Sequence, residues 1–350
     1  MSWQELGSSK HGWTKDLIFV VGNSRSGTTM MGRILGRHPS VFTLREMHFF
    51  EQLWSSADKE RHISEAEATR LAARLLSIQE VGYLHQTDPG RFCEEAKEIV
   101  VSVPPEVLTA ARIFEAFLLY EATKKGKLVP CDQTPRNVFY IGDILELYPE
   151  ARVVNIVRDP RDVLLSQKRK WKRPFLGAED TTPLTESLRS WVNYHPITIS
   201  KLWNSAVSAA DRFADHHHVY SLRFEDLLAD PVGTLREVCG FVGISFDDSL
   251  LEVPQIGSSS KLDQPDRNGI DTSRAGNWHK GGLSPTEIFL CQKLTSSLLR
   301  RHGYPLASAH PDPLRLCLSI LSFPIKLTLA LLLNLRRMRS IKEAIRRRLS

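Results

Sequence analysis

The 350-residue chain is poor in cysteine. Its five thiols, Cys93, Cys131, Cys239, Cys291 and Cys317, are odd in number and scattered. No Cys-x-x-Cys pair and no Cys/His zinc spacing occurs, so neither a disulfide framework nor a structural metal is expected to carry the fold. His216-His217-His218 forms a histidine run, but adjacent side chains on a strand alternate in direction and cannot converge on one ion. A secretory signal is not evident. Met1–Asp16 is polar, and the first apolar run is only of strand length. Internal repeats and low-complexity linkers are missing too. These absences point to a cytoplasmic protein in a reduced compartment.

A general excess of one charge is also missing. The formal net charge is +6, but residues 314–350 carry nine Lys/Arg and one acid, Glu343, which is +8. The remainder is therefore 6 − 8 = −2. A body near neutrality has no nucleic-acid footprint. What is present is ordinary globular composition, 42% apolar and 25% charged, with length for a large core.

The most informative stretch begins at Leu17–Val21, a short apolar run that fits a buried parallel strand. Gly22 to Thr29 follows the phosphate-loop spacing Gly-x4-Gly-x-[Ser/Thr], except that Thr28 stands where an NTPase carries Lys. Met31, Ile34 and Leu35 then recur at helical spacing. Glycines let the backbone turn N–H groups inward, and a helix N-terminus adds partial positive charge, so this loop should hold an anionic phosphate or sulfate. The missing Lys and the intervening Arg25 argue against ATP chemistry.

A second β-branched run, Val153–Val157, ends in Arg158. Helices are expected over residues 64–78, 105–122 and 231–242, the last with Val232, Leu235, Val238, Cys239 and Val242 on its core face. A strand is expected over residues 127–130. Residues 255–271, rich in Ser, Gly and Asp, read as a loop and a candidate cover for the site. Strands alternating with helices predict an α/β fold with a mainly parallel sheet, its ligand beyond the carboxyl ends of the strands.

The motifs resemble those of a known family. Ser24-Arg25-Ser26-Gly27-Thr28-Thr29 resembles the 5′-phosphosulfate loop of sulfotransferases that use 3′-phosphoadenosine 5′-phosphosulfate (PAPS). Arg158, at a strand end, and Ser166, eight residues later, resemble the family's 3′-phosphate motif. Tyr220–Pro231 resembles its strand and Glu-Asp-Leu turn, and Arg274–Ser284 its late Gly-x-Trp segment. The four stretches occur in the family's order.

The resemblance implies a P-loop-type central parallel sheet flanked by helices. It implies sulfuryl transfer to an acceptor hydroxyl or amine, PAPS as co-substrate, 3′-phosphoadenosine 5′-phosphate (PAP) as product, and no tightly bound cofactor or metal. Arg25, Ser26, Gly27, Thr28 and Thr29 are then expected at the 5′-phosphate, and Arg158 and Ser166 at the 3′-phosphate. Arg274, Gly276 or Lys280 could also reach it. In the tyrosylprotein-type branch, a glutamate after the phosphate-loop helix and a His-Pro turn is the catalytic base. Glu46 matches that position, with Arg45 in place of the branch's first glutamate. His48 is the second candidate base. Gln133 stands where the family has a Lys near the bridging oxygen, and Arg136 is the nearest replacement charge. Two other readings stay open: a P-loop kinase using ATP, and a non-catalytic relative that binds PAPS.

One domain to residue 312 is expected, followed by a basic amphipathic tail, residues 313–350. Leu314–Leu335 is interrupted by Arg315, Pro324 and Lys326, so neither apolar stretch reaches the ~20 residues that span a bilayer. An apolar segment beside clustered bases suits an interfacial helix on anionic lipid, which would make the protein peripheral on a membrane. The other reading is a helix packed on the domain or pairing two subunits in a homodimer. The acceptor can be a protein tyrosine, a carbohydrate, a lipid or a small molecule, because residues 49–125 do not discriminate among hydroxyls.

Overall fold

The computed structural model describes residues 17–83, 88–172, 184–255, 264–335 and 340–349. The strands are β1 (Ile18–Gly22), β2 (Val41–Thr43), β3 (Val129–Asp132), β4 (Arg152–Val157), β5 (Val219–Arg223), β6 (Pro254–Gln255) and β7 (Gln264–Asn268). The helices are α1 (Thr28–Arg37), α2 (Glu65–Val81), α3 (Cys93–Val101), α4 (Ala110–Lys124), α5 (Ile141–Leu147), α6 (Pro160–Arg169), α7 (Leu184–Asn193), α8 (Pro196–Asp211), α9 (Phe224–Ala229), α10 (Pro231–Val242), α11 (Pro285–Arg301), α12 (Pro313–Asn334) and α13 (Ile341–Leu349).

β1 to β5 form one parallel sheet in the order β2-β3-β1-β4-β5. β1 is central, and its period-2 alternation feeds two cores. Leu17, Phe19 and Val21 face one, beside Phe50, Phe114 and Tyr148. Ile18 and Val20 face the other, beside Met31, Leu35, Leu235 and Val238. This is why the run is apolar throughout: both faces are covered. A third core, around Trp203 and Cys291, joins α6, α8 and α11.

Register places the motifs. Gly22 pairs with Ile156, Phe19 with Asp132 and Val157 with Arg223. The chain therefore leaves β1, β3, β4 and β5 at one edge of the sheet. After β1 it moves outward to β2, and after β3 it crosses β1 to reach β4, so the phosphate-loop segment leaves the sheet at a topological switch point.

Several local expectations shift. The strand expected at 127–130 is β3, two residues later. Pro105–Val107 is a short 3₁₀ turn rather than the start of a helix, and α4 begins after Thr109, whose hydroxyl accepts the Arg112 N–H. Val232 is exposed at the first turn of α10, and the buried face is Leu235, Val238, Cys239 and Val242. Residues 255–271 are not all loop: β6 and β7 pair antiparallel, while 256–263 lie outside the described residues.

In the tail, α12 runs unbroken through Pro324. It is long and apolar enough to cross a membrane by length and composition, a departure from the interrupted reading. α13 turns back onto the body. Its Arg347 is buried over Phe139 at 3.9 Å, and the Arg347 carbonyl accepts the Ser205 hydroxyl.

Candidate active site

The loop after β1 is tightly built. A Cβ on Gly22 would lie 2.5 Å from the Ile156 carbonyl, so glycine lets β1 and β4 end side by side. Arg25 sits in the left-handed region at φ 74°, unusual for a non-glycine residue, and Gly27 follows at φ 109°. A Cβ at Gly27 would meet the Phe224 ring at 2.4 Å. Ser26 is fully buried, and both its N–H and its hydroxyl donate to the Asn23 carbonyl. That corrects the expectation that the Ser26 N–H faces an anion: it closes the loop. The N–H groups of Thr28, Thr29 and Met30 begin α1, where helix geometry leaves them without intrahelical acceptors.

Four residues distant in sequence converge beside this loop. Arg25 Nε donates to Ser166 Oγ at 3.1 Å. Arg158 donates to the Arg25 carbonyl at 3.3 Å and to the Arg274 carbonyl at 2.9 Å. The Arg158 guanidinium lies 4.5 Å over the Phe224 ring and 3.7 Å from Asp162. Its side chain is only 13% exposed, and among the described residues its buried Nε has no hydrogen-bond partner. A buried cation with an orphaned donor fits an anionic substrate group. Arg274 enters through its backbone carbonyl. Its guanidinium is turned to Asp271, with Nε 3.5 Å from the carboxylate. The Gly276 N–H is taken by Asp162, and Lys280 is exposed beside Asn277.

Asp162 and Glu225 hold this arrangement and were not singled out by sequence reasoning. Asp162 accepts the Gly276 and Trp278 N–H groups at 2.8 and 2.9 Å, clipping the late segment onto α6. Burial pushes its carboxyl above the usual range, opposed by the Arg158 charge and the Trp278 N–H. Glu225 accepts the Asp159 N–H at 3.0 Å and the Tyr304 hydroxyl at 2.8 Å, tying the Glu-Asp-Leu turn to the start of α6. The Trp203 indole N–H donates to the Arg158 carbonyl. The only local signal was the Asp and Glu beside each motif.

A second cluster lies on the loop after β2. Glu46 is 40% exposed, and its Oε2 is 3.5 Å from His48 Nε2. His48 Nδ1 is 3.4 Å from Glu51, whose other oxygen pairs with Arg136 at 2.7 Å. Burial opposes charge on His48, but hydrogen bonds and charges from Glu46 and Glu51 outweigh it and push its pKa up to about 9. Glu51 is correspondingly held below the usual carboxylate range: burial raises it, and His48 and Arg136 together overcome that. His48 also occupies left-handed backbone at φ 52°. Thr134 pins the loop: its hydroxyl accepts the Met47 N–H at 2.9 Å and donates to buried Asp132 at 2.6 Å. The Thr134 N–H, at 3.0 Å, and the Asn137 amide, at 3.0 Å, also donate to Asp132.

Gln133, beside Thr134, is buried against Gly32 of α1, and its Oε1 has no hydrogen-bond partner among the described residues. Arg136, the replacement charge considered for it, is turned to Glu51.

The sulfotransferase family profile matches residues 16–248. An uncharacterised Aquifex aeolicus protein is 24% identical over 273 residues, 76% of this chain but only 31% of that protein's length. Protein-tyrosine sulfotransferase 1 of Danio rerio is 23% identical over 314 residues, 85% of this chain and 76% of its own. Among solved structures, the sulfotransferase domain of the Synechococcus PCC 7002 olefin synthase is similar at TM-score 0.49 and 20% identity, covering 85% of this chain and 98% of that one. None of these findings supports an ATP kinase. Since the family match alone runs over well more than half of its residues, the chain belongs to the sulfotransferase family.

Proposed function

We propose that this protein moves a sulfuryl group from PAPS to an acceptor hydroxyl, with Glu46 as the base. The observation that carries the reading is the convergence of Arg25, Arg158, Ser166 and the Arg274 carbonyl at the carboxyl edge of a parallel sheet. Two cations and a hydroxyl there suit the paired phosphates of one bisphosphorylated nucleotide. The start of α1 adds N–H donors and the positive end of the helix dipole.

In the step itself, the acceptor oxygen forms a bond to sulfur as the bond from sulfur to the bridging phosphate oxygen breaks. The bridging electrons leave with PAP, and the acceptor proton passes to the Glu46 carboxylate. Charge growing on the bridging oxygen is met by fixed donors, as in phosphoryl transfer. Gln133 brings no charge, so Arg25 and the helix start take the role expected of the family's Lys.

The alternative base, His48, is disfavoured by its surroundings. With a pKa pushed up to about 9, it is an imidazolium at neutral pH and holds no lone pair for a proton. Its role is to hold Glu46 on one side and Glu51 on the other. The zebrafish relative is a protein-tyrosine sulfotransferase, and a tyrosine hydroxyl is the first acceptor to try. Five free cysteines support a cytoplasmic setting.

Calorimetry with PAP tests the donor site. Binding of PAP without metal supports the reading, and Mg²⁺-dependent ATP binding without PAP binding overturns it. Labelled-donor incubation with a cell extract, fractionated into protein, lipid, glycan and small molecules, then identifies the acceptor.

A further inference from the structure

The tail carries an apolar surface that the body leaves uncovered. Along α12, Leu314, Leu318, Leu321, Ile325, Leu329 and Leu332 recur every three or four residues, each between 46% and 70% exposed. Only 6% of its most apolar window is buried inside the structure. This is one continuous outward face about five turns long, wider than an a/d seam because Ile320, Leu333 and Leu335 flank it. Leu188 and Trp191 of α7 and Trp171 extend the exposed apolar surface beyond α12. Surfaces of this size mark an interaction site.

The inward face of the same helix is fastened along its length. Near its start, the Ser319 carbonyl lies 3.1 Å from His195 Nε2. His195 Nδ1 accepts the Ile197 N–H, so its proton sits on Nε2 and is donated to Ser319. Midway, Lys326 donates to the Trp191 carbonyl at 3.3 Å, with its ammonium 3.8 Å over the Trp191 ring. Near its end, Asn334 donates to Asn193 at 2.9 Å. A helix held at three points to α7 and α8 lies along the body and does not project from it.

We propose that α12 lies in the plane of a membrane interface, its leucine face in an anionic lipid surface, and docks the enzyme without crossing the bilayer. Three observations choose lipid over a second copy of the chain. The outward face is broad. Tryptophans sit at its margin, where aromatic rings favour the headgroup level. The neighbouring charge is mainly basic: Arg315 and Lys172 are exposed beside it, and exposed Lys342 and Arg346 lie on α13, whereas of the nearby acids Asp312 caps α12 and Glu186 and Glu343 are paired with Arg189 and Arg347. The sequence adds Arg336, Arg337 and Arg339 between the two helices. Such bases attract an anionic leaflet. Spanning would require α12 to break its contacts to His195, Trp191 and Asn193 or to drag α7, with Glu186 and Arg189, into hydrocarbon.

The test is co-sedimentation of the full chain with phosphatidylcholine vesicles, with and without phosphatidylglycerol. Binding to the anionic vesicles, weakened by salt and released by alkaline carbonate, is expected. Replacing two outward residues together, Leu321→Glu and Ile325→Glu, should lower partition by roughly a hundredfold. Val101→Glu, on an equally exposed residue of α3, should leave it unchanged. PAP binding by each variant reports the fold separately, so loss of docking is distinguishable from failure of the donor site. The proposal is overturned if the parent ignores anionic vesicles or if the double variant binds as the parent does. Retention after carbonate overturns it in favour of a spanning helix. A parent that dimerises in solution without sedimenting, alongside a monomeric double variant, overturns it in favour of a second copy.

Discussion

Replacing Arg158 by Met removes the guanidinium and keeps an apolar stem of similar reach to cover the Phe224 ring. The structure assigns that guanidinium three jobs. It donates to the Arg25 carbonyl at 3.3 Å and to the Arg274 carbonyl at 2.9 Å, and it faces Asp162 at 3.7 Å. In the substrate complex, a lost charge-assisted contact to phosphate costs roughly 1.5–3 kcal/mol. The guanidinium's two hydrogen bonds to backbone carbonyls also position the loop and the late segment, and loosening them adds about 1 kcal/mol of ordering cost. Together these weaken PAP binding by roughly a hundred- to a thousandfold. Arg158→Lys should fall between parent and Met, because one ammonium cannot reach two carbonyls and a phosphate in the planar pattern of a guanidinium. Calorimetric titration with PAP reads the effect, and thermal melting confirms the fold. Asp162 keeps its two N–H donors in the Met variant, so the late segment stays attached. If Arg158→Met binds PAP within about threefold of the parent, well under 1 kcal/mol, Arg158 is a structural fastening and the donor phosphates lie elsewhere.

Glu46→Gln should lower kcat by roughly 10²–10⁴-fold with PAP affinity unchanged, since only proton removal from the acceptor is lost. An active variant would remove Glu46 from the chemistry. His48 titrates at about 9 when folded against 6.5 as its ordinary value, so the stability from its pairing with Glu46 and Glu51 is full below pH 6.5 and disappears as pH rises through 9. The melting temperature should decline across that window, and His48→Asn should flatten the decline; an unchanged slope would show that the pairing contributes nothing. Thr134→Val strands the Met47 N–H and one Asp132 hydrogen bond, which should destabilise the chain by roughly 2–3 kcal/mol. The same variant should reduce kcat more than PAP affinity, because the loop it releases carries Glu46. Equal losses in both would mean that the two clusters move together.

What the sequence made legible was local. β1 and its loop were readable because apolar run, glycines and helix follow without interruption, and β4 ends at Val157, just before Arg158, as its β-branched run required. Ser166 was readable only through the family resemblance, in which a Ser follows the strand-end Arg by eight residues. Less legible was which atom of each residue would be used. Ser26 looks like a donor to the anion, yet its position inside the turn commits both its N–H and its hydroxyl to Asn23. Arg274 looks like a phosphate ligand, yet it presents its carbonyl to Arg158 and its side chain to Asp271. Val232 had the helical phase of a core residue, but at the first turn of α10 it is exposed. Asp162 could not be found at all by spacing, since its partners are 114 and 116 residues away.

The parallel sheet explains why distant motifs nevertheless meet. Each strand delivers its following residues to the same edge, so the loop after β1, the turn after β4 and the turn after β5 are neighbours whatever the length of chain between them. That brings Arg25, Arg158 and Phe224 within reach but does not fix their contacts. The contacts are fixed by one buried guanidinium that reads two carbonyls from separate segments, and by carboxylates that hold those segments in turn. A charged side chain is buried here at a desolvation cost that structure alone does not need to bear. Its Nε, without a hydrogen-bond partner among the described residues, is consistent with the proposed donor site, where the remaining partner would arrive with the nucleotide. The second cluster follows the same logic with the signs exchanged. Two carboxylates hold an imidazolium between them, one of them is capped by Arg136, and the other, Glu46, keeps an exposed face toward solvent. A carboxylate 40% exposed and held by an imidazolium can take a proton from an incoming hydroxyl, whereas the imidazolium, already protonated, cannot. The protonation of His48 therefore favours the proposed base, Glu46, in line with the spacing that already ranked Glu46 ahead of His48.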